Sequence, residues 1–193
     1  EEGIRLWNSI DRPNIMIKVP GTESGSVAIR KLISLGINVN VTLLFSVESY
    51  IRSARAYIDG LNDYINSGGK NLGNIASVAS FFVSRLDTAV DKLLNDSSLK
   101  GKSGIFNAYK AYELFLDLFG NEFDYLRNKG GQVQRPLWAS TSVKNPLYSP
   151  TLYVEKLMGP YTVNTLPENT LEALLQSAKV KDELTNNTDV DRY

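Results

Sequence analysis

Asn14-Ile15-Met16-Ile17-Lys18-Val19 is a short apolar run rich in β-branched residues, and Val39-Asn40-Val41-Thr42-Leu43-Leu44-Phe45 is another. Between them, Ser24 to Leu35 carries Val27, Ile29, Leu32 and Ile33 at helical spacing. Strand, helix and strand in about thirty residues form a βαβ unit, whose strands pair in parallel. The pattern continues along the chain. Further strands are expected at Ile75–Ser80, Val133–Ser140 and Thr162–Leu166. Helices are expected at Val47–Ile65, Arg85–Leu94, Ile105–Leu126, Tyr153–Met158 and Leu171–Ala178, with Gly3–Ile10 reading as the end of an earlier helix.

Strict alternation of this kind predicts an α/β fold with one parallel sheet. Strands that are apolar on both faces agree, because a parallel sheet is covered on both sides. No Gly-rich phosphate loop follows any strand, which argues against a nucleotide-binding doubly wound sheet. A complete barrel takes eight βα units and about 250 residues. Five units are counted here. If the sheet closes into a barrel, this chain lacks the first three strands.

The 193 residues are 42% apolar, enough for one sizeable core and too few for two ordinary domains. Lys plus Arg and Asp plus Glu number 21 each, so no net field draws in nucleic acid or an anionic membrane. There is no cysteine and no histidine. Disulfides, thiol catalysis, Ser-His triads and the commonest zinc sites are thereby excluded, and acid–base work falls to carboxylates, lysine, tyrosine or water. The apolar stretches fall well short of the roughly 20 residues that cross a bilayer, and Glu1-Glu2-Gly3 is unlike a signal peptide's basic start. Asn95-Asp96-Ser97 and Asn186-Asn187-Thr188 match the glycosylation sequon, read as coincidence in an intracellular protein. The polar tail from Lys179 to Tyr193 reads as a frayed end.

Lys18 interrupts an otherwise apolar strand. Burial depresses a lysine pKa, and a neutral amine attacks a carbonyl carbon to form a Schiff base. The alternative reading is a lysine snorkelling from a strand end or paired with a carboxylate. In the next strand Asn38, Asn40 and Thr42 share one face by the period of two, with Val39, Val41 and Leu43 on the other. Three polar groups in register on a buried strand point either to a ligand-lined interior or to an internal hydrogen-bond network. The third strand runs into Ser80-Phe81-Phe82-Val83-Ser84-Arg85, and the fourth into Trp138-Ala139-Ser140-Thr141-Ser142-Val143-Lys144. Each offers hydroxyls at a strand's carboxyl end with a cation four or five residues on, the place where barrel active sites hold anions.

Several of these segments, in order, resemble the transaldolase family. Asn14 to Thr22 resembles its Schiff-base lysine motif, and Gly36 to Ser46 its next strand. Ser77 to Arg85, Arg135 to Thr141 and Val163 to Pro167 follow in the family's order. The resemblance covers roughly Leu6 to Ala178, and the Trp-Ala-Ser-Thr form with Lys144-Asn145-Pro146 after it is similar to the bacterial and plastid branch. It implies a parallel (β/α)8 barrel, of which residues 1–193 are the C-terminal part of the single domain, strands four to eight with the first three absent from this chain. It also implies transfer of a dihydroxyacetone unit from a ketose phosphate to an aldose phosphate in the pentose phosphate pathway, without metal or organic cofactor. Lys18 is the implied nucleophile. Asn40 would position the intermediate, and Thr42 the proton-relaying water. Ser80 would contact substrate hydroxyls, and Arg85 and Ser140 the phosphate, with Lys144 as a further phosphate contact. The family's two catalytic carboxylates lie on earlier strands, so the expected partner is the N-terminal barrel segment, from the same parent chain or another. The resemblance also implies a cytoplasmic or plastid protein, with no nucleic-acid or membrane partner. A related Schiff-base aldolase and a catalytically incomplete phosphosugar-binding fragment are the rival readings.

Overall fold

A computed structural model describes residues 1–177 and 179–185 of the chain. The second sequon, Ala178 and the tail from residue 186 on lie outside the described residues. Five strands form one parallel sheet in chain order: β1 (Ile17–Pro20), β2 (Val39–Leu44), β3 (Ser77–Phe82), β4 (Arg135–Ala139) and β5 (Val163–Asn164). The helices between and around them are α1 (Glu2–Ile10), α2 (Glu23–Ser34), α3 (Val47–Asn66), α4 (Ser84–Val90), α5 (Ser103–Leu118), α6 (Asp124–Arg127), α7 (Leu152–Lys156) and α8 (Glu168–Ser177). Every expected strand is present, and each expected helix lies where the periodicity put it. The exception is the long helix expected at Ile105–Leu126. It stops at Leu118, and Gly120, with ψ −139°, takes the backbone out of the helical region; a Cβ there would sit 2.8 Å from the Leu116 carbonyl oxygen. A short 3-10 turn, Asn121–Phe123, and α6 take up the remainder.

The chain divides into two compact units. The first comprises Glu1–Ser80 and Leu114–Arg135. In it β1 pairs with β2 in the register Ile17 to Val39, Lys18 to Asn40, Val19 to Val41 and Pro20 to Thr42. The helices α2 and α3 pack closely, with Ile29, Ile33, Ala54, Tyr57 and Leu61 wholly buried. Their approach needs Gly60, where a Cβ would stand 2.7 Å from Cβ of Ile33. Tyr57 donates its hydroxyl to the Gln132 carbonyl at 2.7 Å, and a ladder of Phe115, Phe119 and Phe123 rings continues that core.

Local signals explain the βα junctions. Thr22 caps α2 by accepting from Gly25 N–H at 3.0 Å, and Ser46 caps α3 by accepting from Ser49 N–H at 3.2 Å. Gly25 has a second duty, because a Cβ there would overlap the Pro20 carbonyl oxygen. Gly25→Ala therefore forces the β1–α2 turn apart. Overpacking against fixed backbone costs about 3 kcal/mol, and the melting temperature is expected to fall by roughly 6–12 °C in a thermal scan.

The second unit comprises Phe81–Glu113 and the described residues from Pro136 on. Trp138 lies at its centre, 1% exposed. The Phe81 ring meets it edge-on at 6.3 Å, and its indole N–H donates to the Leu157 carbonyl at 2.8 Å. Val83 N–H donates to the Ala139 carbonyl at 3.0 Å, carrying strand-like pairing past the end of β3. The whole of β3 is buried, as expected of a strand covered on both faces. No helix among the described residues is long and apolar enough to cross a membrane.

Candidate active site

In the first unit the period of two decides which side chains face where. Ile17 and Val19 of β1 are buried, and Lys18 between them is exposed on the opposite face. The burial expected to activate its amine is thus not supplied by the described residues. Directly beside Lys18 in the parallel register stands Asn40. Its Oδ1 accepts a 2.7 Å hydrogen bond from the Ser80 hydroxyl of β3. An amine, a carboxamide and a hydroxyl thus stand on three successive strands, two of them aligned by register and two by a hydrogen bond. With Oδ1 held by Ser80, the Asn40 amide presents Nδ2–H donors, which suits it to a substrate oxygen.

Thr42, two residues on, is 6% exposed and pairs in register with Pro20. The alternation then breaks. Leu43 takes φ 59° and is 47% exposed, while Leu44 turns inward and is wholly buried. Strict periodicity had put Leu43 on the face of Val39 and Val41. The left-handed residue shifts the pattern by one, and Leu44 comes to rest on Gly21, where any Cβ would overlap its side chain. A leucine in this conformation costs about 1–3 kcal/mol, and such strain gathers near functional sites. Asn38, which shares the sequence pattern of Asn40 and Thr42, has a structural role. It donates to the carbonyls of Pro13 (3.0 Å) and Ile15 (3.2 Å) and accepts from Ala76 N–H (2.9 Å). Of the three polar residues, Asn38 belongs to the internal network, and Asn40 lies beside the lysine.

In the second unit a hydroxyl pair joins the segments that follow β3 and β4. Ser140 has φ 55°, a backbone reversal that ends β4. Its hydroxyl lies 2.9 Å from that of Ser84, and Ser84 N–H donates to the Ser140 carbonyl at 2.9 Å. Arg85, adjacent to Ser84, is exposed and has its guanidinium 5.0 Å from the centre of the Phe82 ring. A cation over a ring face keeps its N–H fork at the ring's edge, available to an anion. Lys144 is exposed and donates to the Ser142 hydroxyl at 2.7 Å. Thr141 donates to Asn164 Oδ1 at 2.7 Å, tying the end of β4 to β5.

The sequence reading passed over the carboxylates behind this cluster. Asp87 and Asp91 lie one helical turn apart at α4, and Asp87 is 1% exposed. Asp87 Oδ1 accepts from Gly104 N–H at 2.6 Å, and Asp91 Oδ1 from Gly101 N–H at 2.9 Å. Burial raises the Asp87 carboxyl above its usual range, against the lowering effect of the Gly104 hydrogen bond. Burial and then the neighbouring Asp87 push the Tyr153 phenol upward. The available signal was two carboxylates at i and i+4 in a short segment otherwise holding Leu86, Ala89 and Val90.

A parallel βα repeat with an amine, an amide and a hydroxyl carried on successive strands defines the class: an α/β protein with one parallel sheet and polar side chains along its strands. The chain belongs to the transaldolase/fructose-6-phosphate aldolase family, whose model matches residues 1–192. It is 49% identical to a transaldolase of Mycolicibacterium smegmatis over 97% of its own length and 51% of that protein's. It is 48% identical to a transaldolase of Saccharopolyspora erythraea, over 93% of its own length and 50% of the relative's. A Mycolicibacterium paratuberculosis transaldolase is 44% identical, with 98% of this chain and 53% of that protein covered. The chain spans about half the length of the curated relatives it matches.

Proposed function

We propose that this chain supplies the nucleophile and phosphate-binding residues of a transaldolase, and that its five βα units are the fourth to eighth of an eight-unit barrel completed by an N-terminal segment. The observation that carries the reading is the alignment of Lys18 with Asn40 and the 2.7 Å bond from Ser80 to Asn40. Relatives named transaldolase, at 44–49% identity, support it.

The Lys18 amine adds to the ketone carbon of a ketose phosphate, and loss of water from the carbinolamine leaves an iminium ion. Asn40 donates to a substrate oxygen and keeps the adduct in one orientation. Cleavage of the carbon–carbon bond beyond the iminium sends its electron pair into the C=N, which becomes an enamine. The shortened aldose phosphate departs as the aldehyde. The enamine carbon then attacks the aldehyde of an acceptor aldose phosphate, the iminium re-forms, and water releases the new ketose and the free amine. Thr42 holds the water that relays protons, and Ser80 contacts substrate hydroxyls. Arg85, Ser140 and Lys144 bind the phosphate, whose binding energy, remote from the reacting carbons, helps to position them.

The family description also names fructose-6-phosphate aldolase, in which the three-carbon unit would pass to water. Incubating the full gene product with fructose 6-phosphate and borohydride, followed by peptide mapping, tests the shared step. A reduced sugar or three-carbon adduct on Lys18 is expected, and an adduct confined to another lysine would overturn the assignment. Product analysis with and without erythrose 4-phosphate then separates transfer, which needs the acceptor, from release, which does not.

A further inference from the structure

The loop between β4 and α7 carries Ser140 and Lys144, and it is held by more than its own turn. Tyr148, four residues after Lys144, donates its hydroxyl to Asp91 Oδ2 at 2.8 Å. The other oxygen of Asp91 accepts from Gly101 N–H at 2.9 Å. One carboxylate at the end of α4 therefore ties the segment before α5 to the segment before α7. Gly101 has φ 73° and lies against the Tyr148 ring, where a Cβ would come 2.9 Å from the ring carbons. A small pocket of about 170 Å³ is lined by Asp87, Asp91, Lys144, Asn145, Tyr148 and Tyr153. Lys144 and the carboxylate–phenol pair thus line the same pocket.

The same space holds the groups that fix the Lys144 loop. Burial, and after it the hydrogen bond to Asp91, hold the Tyr148 phenol above its usual range. Asp91 has both oxygens committed, one to a backbone N–H and one to the phenol. Asp87, in the same lining, has Oδ1 committed to Gly104 N–H, while its buried Oδ2 has no hydrogen-bond partner among the described residues. Without the Tyr148 hydroxyl, the segment that carries Lys144 would lose its tie to Asp91 and, through Asp91, to Gly101.

We propose that Asp91 and Tyr148 are positioning residues that fix the loop carrying Lys144, so that its ammonium is presented to the substrate phosphate. The inference rests on the reading of Lys144 as a phosphate contact, and nothing in it requires either residue to touch substrate. The test is Tyr148→Phe, which removes one oxygen and leaves the ring packed on Gly101. In the full gene product, KM for fructose 6-phosphate is expected to rise about fivefold to tenfold with kcat within twofold, while kcat/KM for unphosphorylated fructose stays unchanged. Equal losses on both sugars would mean a general structural role and would overturn the proposal, as would a KM within twofold of wild type.

A second measurement needs no turnover. Acylation of Lys144, followed by mass spectrometry, is titrated with inorganic phosphate in wild type and Tyr148→Phe. Protection in wild type, with a midpoint shifted upward about fivefold in the variant, is the expected result. Equal midpoints, or no protection in wild type, would sink the inference even in a protein that transfers the sugar unit normally. A wild-type protein that is protected by phosphate yet inactive on sugar phosphates would fault the functional reading alone.

Discussion

Methionine in place of Lys18 is expected to eliminate the borohydride-trapped adduct with fructose 6-phosphate and to lower turnover by about 10⁴-fold or more, on the order seen when a covalent nucleophile is removed. Methionine keeps an unbranched stem but has no nitrogen to attack a ketone. Because Lys18 is exposed between buried Ile17 and Val19, the exchange removes no core contact, and the melting temperature should stay within about 2 °C. Lys31, exposed in the last turn of α2, serves as the control. Lys31→Met should keep full activity and the adduct. A Lys18→Met protein that still traps substrate would show that the nucleophile lies elsewhere.

Arg85→Ala carries the second largest effect. A guanidinium offers two parallel N–H donors to a phosphate, and hydrogen bonds to a charged group contribute about 1.5–3 kcal/mol. KM for fructose 6-phosphate is expected to rise roughly 10- to 100-fold, with a smaller change in kcat, as measured in steady-state assays. Arg85→Lys should recover only part of the loss, because a point charge lacks the fork. Unphosphorylated fructose, at its own low rate, should be handled alike by Arg85→Ala and wild type. If both sugars suffer equally, Arg85 acts through its packing on Phe82 and not through phosphate.

Much of the fold was legible because strand and helix periods differ and their boundaries have chemical markers. Apolar spacing located the helices that follow β1 and β2, and the caps Thr22 and Ser46 emerged from the structure. The failure at residues 105–126 has a specific cause. The stripe of Tyr109, Tyr112, Leu116 and Phe119 continues past the helix end, so periodicity alone runs on, whereas Gly120 leaves the helical region with ψ −139°. For the candidate site, legibility followed the strands. Lys18 and Asn40 stand out as polar residues within apolar runs. Asn38 carries the same sequence signal as Asn40 yet serves backbone groups of neighbouring segments, a difference that depends on which atoms lie opposite.

The amino-acid sequence by itself determined the order of strands and helices, the parallel sheet and the lysine-bearing motif, because those follow from residue spacing and from the backbone demands of Thr, Ser and Gly at turns. The tertiary structure decided the rest. It set Lys18 beside Asn40 through the β1–β2 register, joined Asn40 to Ser80, flipped Leu43 outward so that Leu44 could seat on Gly21, and tied Asp91 to Tyr148. Each of these depends on atoms distant in sequence meeting within hydrogen-bond or van der Waals range. Side-chain period reports which face a residue takes, while only the packed backbone determines what that face meets.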